Sequence, residues 1–277
     1  MSEIHIDHPN VPRIHLLCME DKFITAYSDA HSKYWPEATG RRVPAPPRAG
    51  QDQTRTLVSP IDIQIHNCKL ADLPEDVKFD LVVSPSNSYG MLDGAFDDKI
   101  SRAFSGSAED YFILTYAVQR ELYDKYRGFA PPGTCTLVPF PDQLVDDEGE
   151  GKNPWGCRWV AICPTMRTPE NVQWDREIVY RCAWSLLCAV EGWNRRLESD
   201  NGTSTGDARQ GRIERILITP MATGCGCVSP ERWAAQFVLA TRHFAEAVET
   251  PETWSRLTWE KFLDDTEQVK ATWKDES

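Results

Sequence analysis

Six short apolar runs, most of them followed by a polar turn and then by helically spaced hydrophobic residues, constrain the fold of this chain more than any other feature. The runs are RIHLLCM (13–19), IDIQIHN (61–67), FDLVVS (79–84), PPGTCTLVPF (131–140), RWVAICP (158–164) and IERILITP (213–220). Each has the length and β-branched content of a strand. Between them the period changes. A helix is expected in the stretch after Met19. From Asp93 onward Phe96, Ile100 and Phe104 recur every fourth position, a further helix is expected over 108–126, and Ile178, Cys182, Leu186, Ala189 and Trp193 mark a longer one. Trp233, Phe237, Phe244 and Val248 mark the last. Strands alternating with helices predict an α/β fold: a three-layer α/β/α sandwich around a mixed, mostly parallel central sheet. In such sheets ligands sit beyond the carboxyl ends of the strands.

The segments between these elements suggest the domain plan. PEATGRRVPAPPRAGQDQ (36–53) has no periodicity and reads as a surface loop. Residues 1–56 are therefore expected to be an amino-terminal strand and helix extension with a proline-rich loop. Residues 57–250 are expected to form the main domain, with insertions near 142–153 and 199–211, and 251–277 a charged tail. The 277 residues carry a formal net charge of −12, which repels duplex nucleic acid and anionic membrane surfaces. A phosphate bound here must be held by local donors. No apolar run is long enough for a membrane span, and MSEIHIDHPN lacks the layout of a signal peptide. Nine cysteines without paired spacing predict reduced thiols and a cytoplasmic or nuclear setting.

Two turns hold more polar and glycine residues than a simple connection needs. The first, within DLVVSPSNSYGMLDGAFDDKISRAF (80–104), carries Ser84, Ser86, Asn87, Ser88 and Asp93. The second, TPMATGCGCVSPERW (219–233), has Ser229 and Pro230 as a helix start, while Gly224 and Gly226 allow close backbone approach to a ligand. Each turn has a plainer reading. Asn87 forms turns readily, the aspartates suit a helix amino terminus, and the glycines suit tight chain reversal.

Together the turns resemble the two ligand loops of macrodomains. VVSPSNSYGMLDGAF is similar to a first loop of the form V-N-A-A-N, glycine run, V-D-G-A-I, in a divergent branch with S-P-x-N-S-x-G-x-x-D-G. ITPMATGCGCVSPERWAAQ is similar to the second loop, P-x-x-S-T-G-x-x-G-x-P, and PPGTCTLVPF and WVAICPTMRTP resemble segments between them. The likeness runs from near Leu57 to near Val248.

The resemblance implies binding of ADP-ribose, or of ADP-ribosylated protein, with no metal or cofactor. It assigns Ser86, Asn87, Gly90, Asp93 and Gly94 to the distal ribose side, and Thr223, Gly224, Cys225, Gly226, Cys227 and Val228 to the diphosphate. Asn67 stands where an adenine-selecting residue is expected. If the chain hydrolyses an ADP-ribosyl linkage, Asp93 orients the water and Asn87 holds the ribose hydroxyls. The pattern also departs from the family: only Gly90 remains of the glycine run, Met91 and Leu92 follow it, and Ser84 replaces the first Asn. A non-catalytic reader, or a scaffold that has lost the ligand, fits the same residues.

Other chemistries have weaker support. Cys225 at a helix mouth could act as a nucleophile, with only His66 and His243 near mapped elements. Cys225 and Cys227 lack the spacing of a structural zinc site. G-x-S-x-G, Walker and G-x-G-x-x-G motifs are absent. Trp155, Trp159, Trp174, Trp184 and Trp233 read as core or insertion contacts, and Arg167 and Arg176 as partners of a phosphate, with an acidic neighbour the alternative for Arg167.

Overall fold

A computed structural model describes residues 10–36, 61–105, 108–145, 153–199 and 211–273. The proline-rich stretch beyond Pro36, most of the acidic insertion near 142–153 and nearly all of the 199–211 loop lie outside the described residues.

The six apolar runs form six strands: β1 (Arg13–Leu17), β2 (Ile63–His66), β3 (Leu81–Ser84), β4 (Thr136–Pro139), β5 (Trp159–Ile162) and β6 (Arg215–Ile218). They make one sheet in the order β2-β1-β6-β3-β5-β4. All neighbours are parallel except β4, which runs antiparallel to β5. Successive residues of a strand face opposite sides of a sheet, and here both sides are apolar. Leu16, Leu81, Val83, Trp159, Ala161, Ile216 and Ile218 face one core. Leu17, Val82, Val160, Ile162 and Leu217 face the other.

Helices cover each side. On the first lie α1 (Asp21–Tyr34), α5 (Ile178–Ser199) and α6 (Pro230–Glu249), which contribute Phe23, Tyr27, Leu186, Trp233 and Phe237. On the second lie α2 (Ala95–Phe104) and α3 (Ile113–Tyr126), with Phe96, Ile100, Phe104, Val118 and Leu122 buried, and the short α4 (Asp142–Val145). This is the three-layer α/β/α sandwich with a mixed, mostly parallel sheet. Ser229 caps α6 by accepting from the Arg232 N–H at 3.2 Å, with Pro230 as first helical residue.

The two ends of the chain differ from the expected plan. Residues 13–34 are not an extension, because β1 is hydrogen-bonded between β2 and β6, and Phe23 packs edge-on against the fully buried Trp233 at 5.7 Å. The far end, expected as a charged tail, is helical over much of its length. Beyond α7 (Pro251–Trp254), α8 (Trp259–Lys270) lies against α6. Lys261 reaches Glu246 at 3.2 Å and Asp265 at 2.9 Å, Gln236 donates to Thr272 Oγ1 at 3.0 Å, and Val269 is buried. Part of the charge of this segment is thus used in ion pairs on the packed side of α8. Trp155, Trp159 and Trp233 are core residues, whereas Trp174 is 73% exposed. Among the described residues no helix is long and apolar enough to cross a membrane.

One side chain sets the register in mid-sheet. Asp80 Oδ2 accepts from the N–H groups of Glu214 (2.9 Å) and Arg215 (2.8 Å), while its carbonyl accepts from Arg158 and Trp159. The start of β3 is thereby tied to β6 on one side and β5 on the other, and the carboxyl ends of all three point the same way.

Candidate functional site

Because β3 and β6 are parallel neighbours, the turns that leave them emerge side by side. The two turns, roughly 130 to 140 residues apart along the chain, therefore line one cleft of about 270 Å³.

The first turn contributes Ser86, Asn87, Met91, Asp93 and Gly94, and the second Thr223, Gly224, Cys225 and Gly226. Two further connections close it. Met19 and Glu20 come from the turn between β1 and α1, Lys22 and Phe23 from the first turn of α1, and Thr165, Met166 and Pro169 from the segment after β5. Nothing local in the sequence marks these residues as cleft-lining. The signal was available in principle, since these segments also follow the carboxyl ends of parallel strands, but only the sheet order brings them to the same place.

Asn87 is engaged in its own turn. Its Oδ1 accepts from the N–H groups of Tyr89 (3.0 Å) and Met91 (3.4 Å), and its Nδ2 donates to the Met91 carbonyl (3.0 Å). The turn-forming and cleft-lining readings of Asn87 thus hold together. Asp93 is exposed on the cleft wall beside the first residues of α2, whose N-cap Gly94 offers no side chain to the helix amides. Those amides favour an anion or an acceptor oxygen. Ser86 is buried and donates to the Asn87 carbonyl at 3.1 Å.

In the second turn, the N–H groups of Cys227 and Val228 are taken by the carbonyls of Gly224 (3.0 Å) and Ala222 (3.1 Å). Neither residue lines the cleft, and Val228 is buried. The amides of Thr223, Gly224, Cys225 and Gly226 have no acceptor among the described residues. Four consecutive free amides in a turn form the kind of concavity that binds phosphate oxygens. The turn is held tightly. A Cβ on Gly226 would stand 2.4 Å from the Ala222 carbonyl oxygen, and Ala222 and Cys227 both have left-handed backbone, at φ 62° and 57°. Ala95, at the start of α2, is left-handed too, at φ 49°. Residues other than glycine seldom adopt this conformation, and such strain gathers at functional turns.

Two further expected residues fall elsewhere. Gly90 has φ +65° and faces α3, where a Cβ would lie 2.5 Å from Val118, so its glycine serves packing. Asn67 is not on the cleft wall, and its Nδ2 donates to Asp21 Oδ1 at 2.8 Å.

Adjacent carboxyls on α2 have opposite environments. Asp98 faces outward and accepts from Arg102 (2.8 Å), Tyr111 (2.7 Å) and Lys99 (3.0 Å), with the Arg102 hydrogen bond the main cause holding it well below the usual carboxylate range. Asp97 lines the cleft yet is only 8% exposed, and its Oδ1 accepts from the buried Ser84 Oγ at 2.7 Å. Burial pushes its pKa up to about 7; the Ser84 hydrogen bond opposes this and the Asp93 charge adds to it.

Neither histidine near a mapped element meets the thiols. His66 contacts His15 (2.9 Å) and His243 contacts Tyr180 (3.0 Å), while Cys227 Sγ donates to the Cys225 carbonyl at 3.4 Å. Among the described residues no three His, Cys, Asp or Glu side chains gather as a metal-ligand set. Arg167 donates to the Tyr89 hydroxyl at 3.0 Å and lies over Phe129, and Arg176 lies over Trp273.

No family model matches the chain, and no curated protein matches it. Solved structures similar to it include the Oceanobacillus iheyensis macrodomain with MES bound, at 13% identity over 72% of this chain and 88% of that one, with a TM-score of 0.40. The macrodomain of the same organism with ADP matches at 12% identity over 63% and 90%, with a TM-score of 0.31.

Proposed function

We propose that the protein binds ADP-ribose, free or carried on another molecule, in the cleft between the β3 and β6 turns. The observation that supports this most is the convergence of four free amides in the 223–226 turn with the amide-bearing start of α2 across one cleft. An acidic protein can hold a diphosphate in this way without basic side chains. In this reading Thr223 to Gly226 take the diphosphate. Asn87 shapes the first turn around the distal ribose, Gly94 and Ala95 bring the amides of α2 toward it, and Asp93 stands where a water can be oriented. The apolar wall of Met19, Phe23 and Pro220 suits the face of a purine ring.

Hydrolysis of an ADP-ribosyl linkage is the finer part of the proposal. It rests on Asp93, exposed on the same wall and able to orient water toward the anomeric carbon, with remote diphosphate contacts positioning the sugar. Calorimetric titration with ADP-ribose tests the binding. Micromolar affinity with one site per chain is the expected result, and absence of heat and of any thermal shift at millimolar ligand refutes it.

A further inference from the structure

We propose that Asp97 is the acid of this cleft, giving a proton to the leaving oxygen while Asp93 orients the attacking water, and that the linkage cleaved is one to a hydroxyl side chain. The inference rests on the proposed hydrolysis and adds a residue and a substrate class to it.

The argument begins with position. Asp97 lines the cleft, is more than nine-tenths buried, and has one oxygen bound by Ser84, while no described residue hydrogen-bonds the other. Its neighbour on the same wall, Asp93, is exposed and has no side-chain partner among the described residues. A buried carboxyl and an exposed one on the same cavity have the contrasting surroundings that acid and base work needs. The buried one keeps its proton to about pH 7 because ionising it away from water is costly. The other charged groups on this wall are Glu20 and Lys22, which pair with each other at 2.7 Å.

The chemistry selects the substrate. In the step, the bond from the anomeric carbon to the linking oxygen breaks, its electron pair goes to that oxygen, and the oxygen takes the Asp97 proton. Water adds its oxygen to the anomeric carbon and gives a proton to Asp93, from which solvent returns one to Asp97. The products are ADP-ribose and a free hydroxyl. A carboxylate leaves as a stable anion without help, whereas an alkoxide is strongly basic and does not, so a buried acid serves a hydroxyl linkage and not a carboxylate one.

The test compares two peptides, one ADP-ribosylated on serine and one on glutamate. Wild-type protein is expected to cleave the serine linkage with a rate that falls as pH rises through about 7. Asp97→Asn keeps an acceptor for Ser84 and is expected to lose about 100-fold or more of that cleavage, with ADP-ribose affinity and any glutamate-ester cleavage changed only a few-fold. Ser84→Ala removes the hydrogen bond that lowers the Asp97 pKa, so the falling limb should move to higher pH. Failure of the wild type to cleave the serine linkage while still binding ADP-ribose overturns this inference alone. So does an Asp97→Asn variant with an unaltered pH profile or with equal loss on both peptides. Failure to bind ADP-ribose overturns the binding proposal as well.

Discussion

Gly224 and Gly226 are two residues apart in the same turn, and the structure assigns them opposite tolerances. A Cβ on Gly224 would meet no atom within 4 Å, whereas one on Gly226 would stand 2.4 Å from the Ala222 carbonyl oxygen and 3.0 Å from Val172 Cγ2. Gly224→Ala is therefore expected to leave stability within about 0.5 kcal/mol of wild type. Gly226→Ala must move backbone, at a cost of about 1–3 kcal/mol, or a melting temperature lower by roughly 2–10 °C.

Gly224→Glu separates folding from binding. The side chain has room to form, and its carboxylate then stands in the 270 Å³ cleft beside the free amides. With an effective dielectric constant of about 20, two unit charges about 5 Å apart repel by about 3 kcal/mol. That alone weakens a diphosphate ligand by about 100-fold. Thermal denaturation together with calorimetric titration of ADP-ribose measures both quantities on the same samples. A Gly224→Glu protein that melts normally and binds ADP-ribose as wild type does would refute the amide site, and a neutral Gly226→Ala would refute the geometry of the turn.

Asn87→Ala removes three side-chain hydrogen bonds that close the first turn, so a loss of about 1–3 kcal/mol is expected in urea denaturation; weaker ADP-ribose binding with unchanged stability would show that these bonds do not shape the turn. Asp80→Ala leaves the amides of Glu214 and Arg215 unpaired between β3 and β6 and should lower stability by about 2 kcal/mol, with a neutral result excluding its role in register. Burial lowers the pKa of His15, His31, His66 and His243, so the unfolded chain takes up more protons below about pH 6.5 and stability should fall as pH drops through that range. Asp97 has the opposite sign, since its raised pKa favours the fold as pH falls through about 7. A urea midpoint that rises between pH 7 and pH 5.5 would contradict the dominance of the histidines.

The strands and main helices could be located from period and turn chemistry because those signals are local. Ser229, Pro230 and the spacing of Phe96, Ile100 and Phe104 specify their elements within a few residues. The sheet order is not local, and the contributions of Met19 to Phe23 depend wholly on it. Asp97 in sequence is one of several aspartates suited to a helix start, because its burial against Ser84 is a contact across 13 residues. Asn67 was placed by its neighbours in sequence, yet its amide is taken by Asp21, 46 residues away. The amides of Cys227 and Val228 could not be told from those of the residues before them, since turn hydrogen bonds depend on the left-handed conformation of Ala222 and Cys227.

The place of β6 has a consequence for how the chain assembles. This strand, formed only at residues 215–218, stands between β1 and β3 and is the one that joins the two halves of the sheet. A nascent chain that has not yet exposed it holds two separate ribbons with unpaired inner edges, vulnerable to wrong pairing. Contacts so distant along the chain are slow to form. Ligand recognition therefore becomes available late in synthesis, in a single closing event, and a product truncated before that strand has no partial version of it.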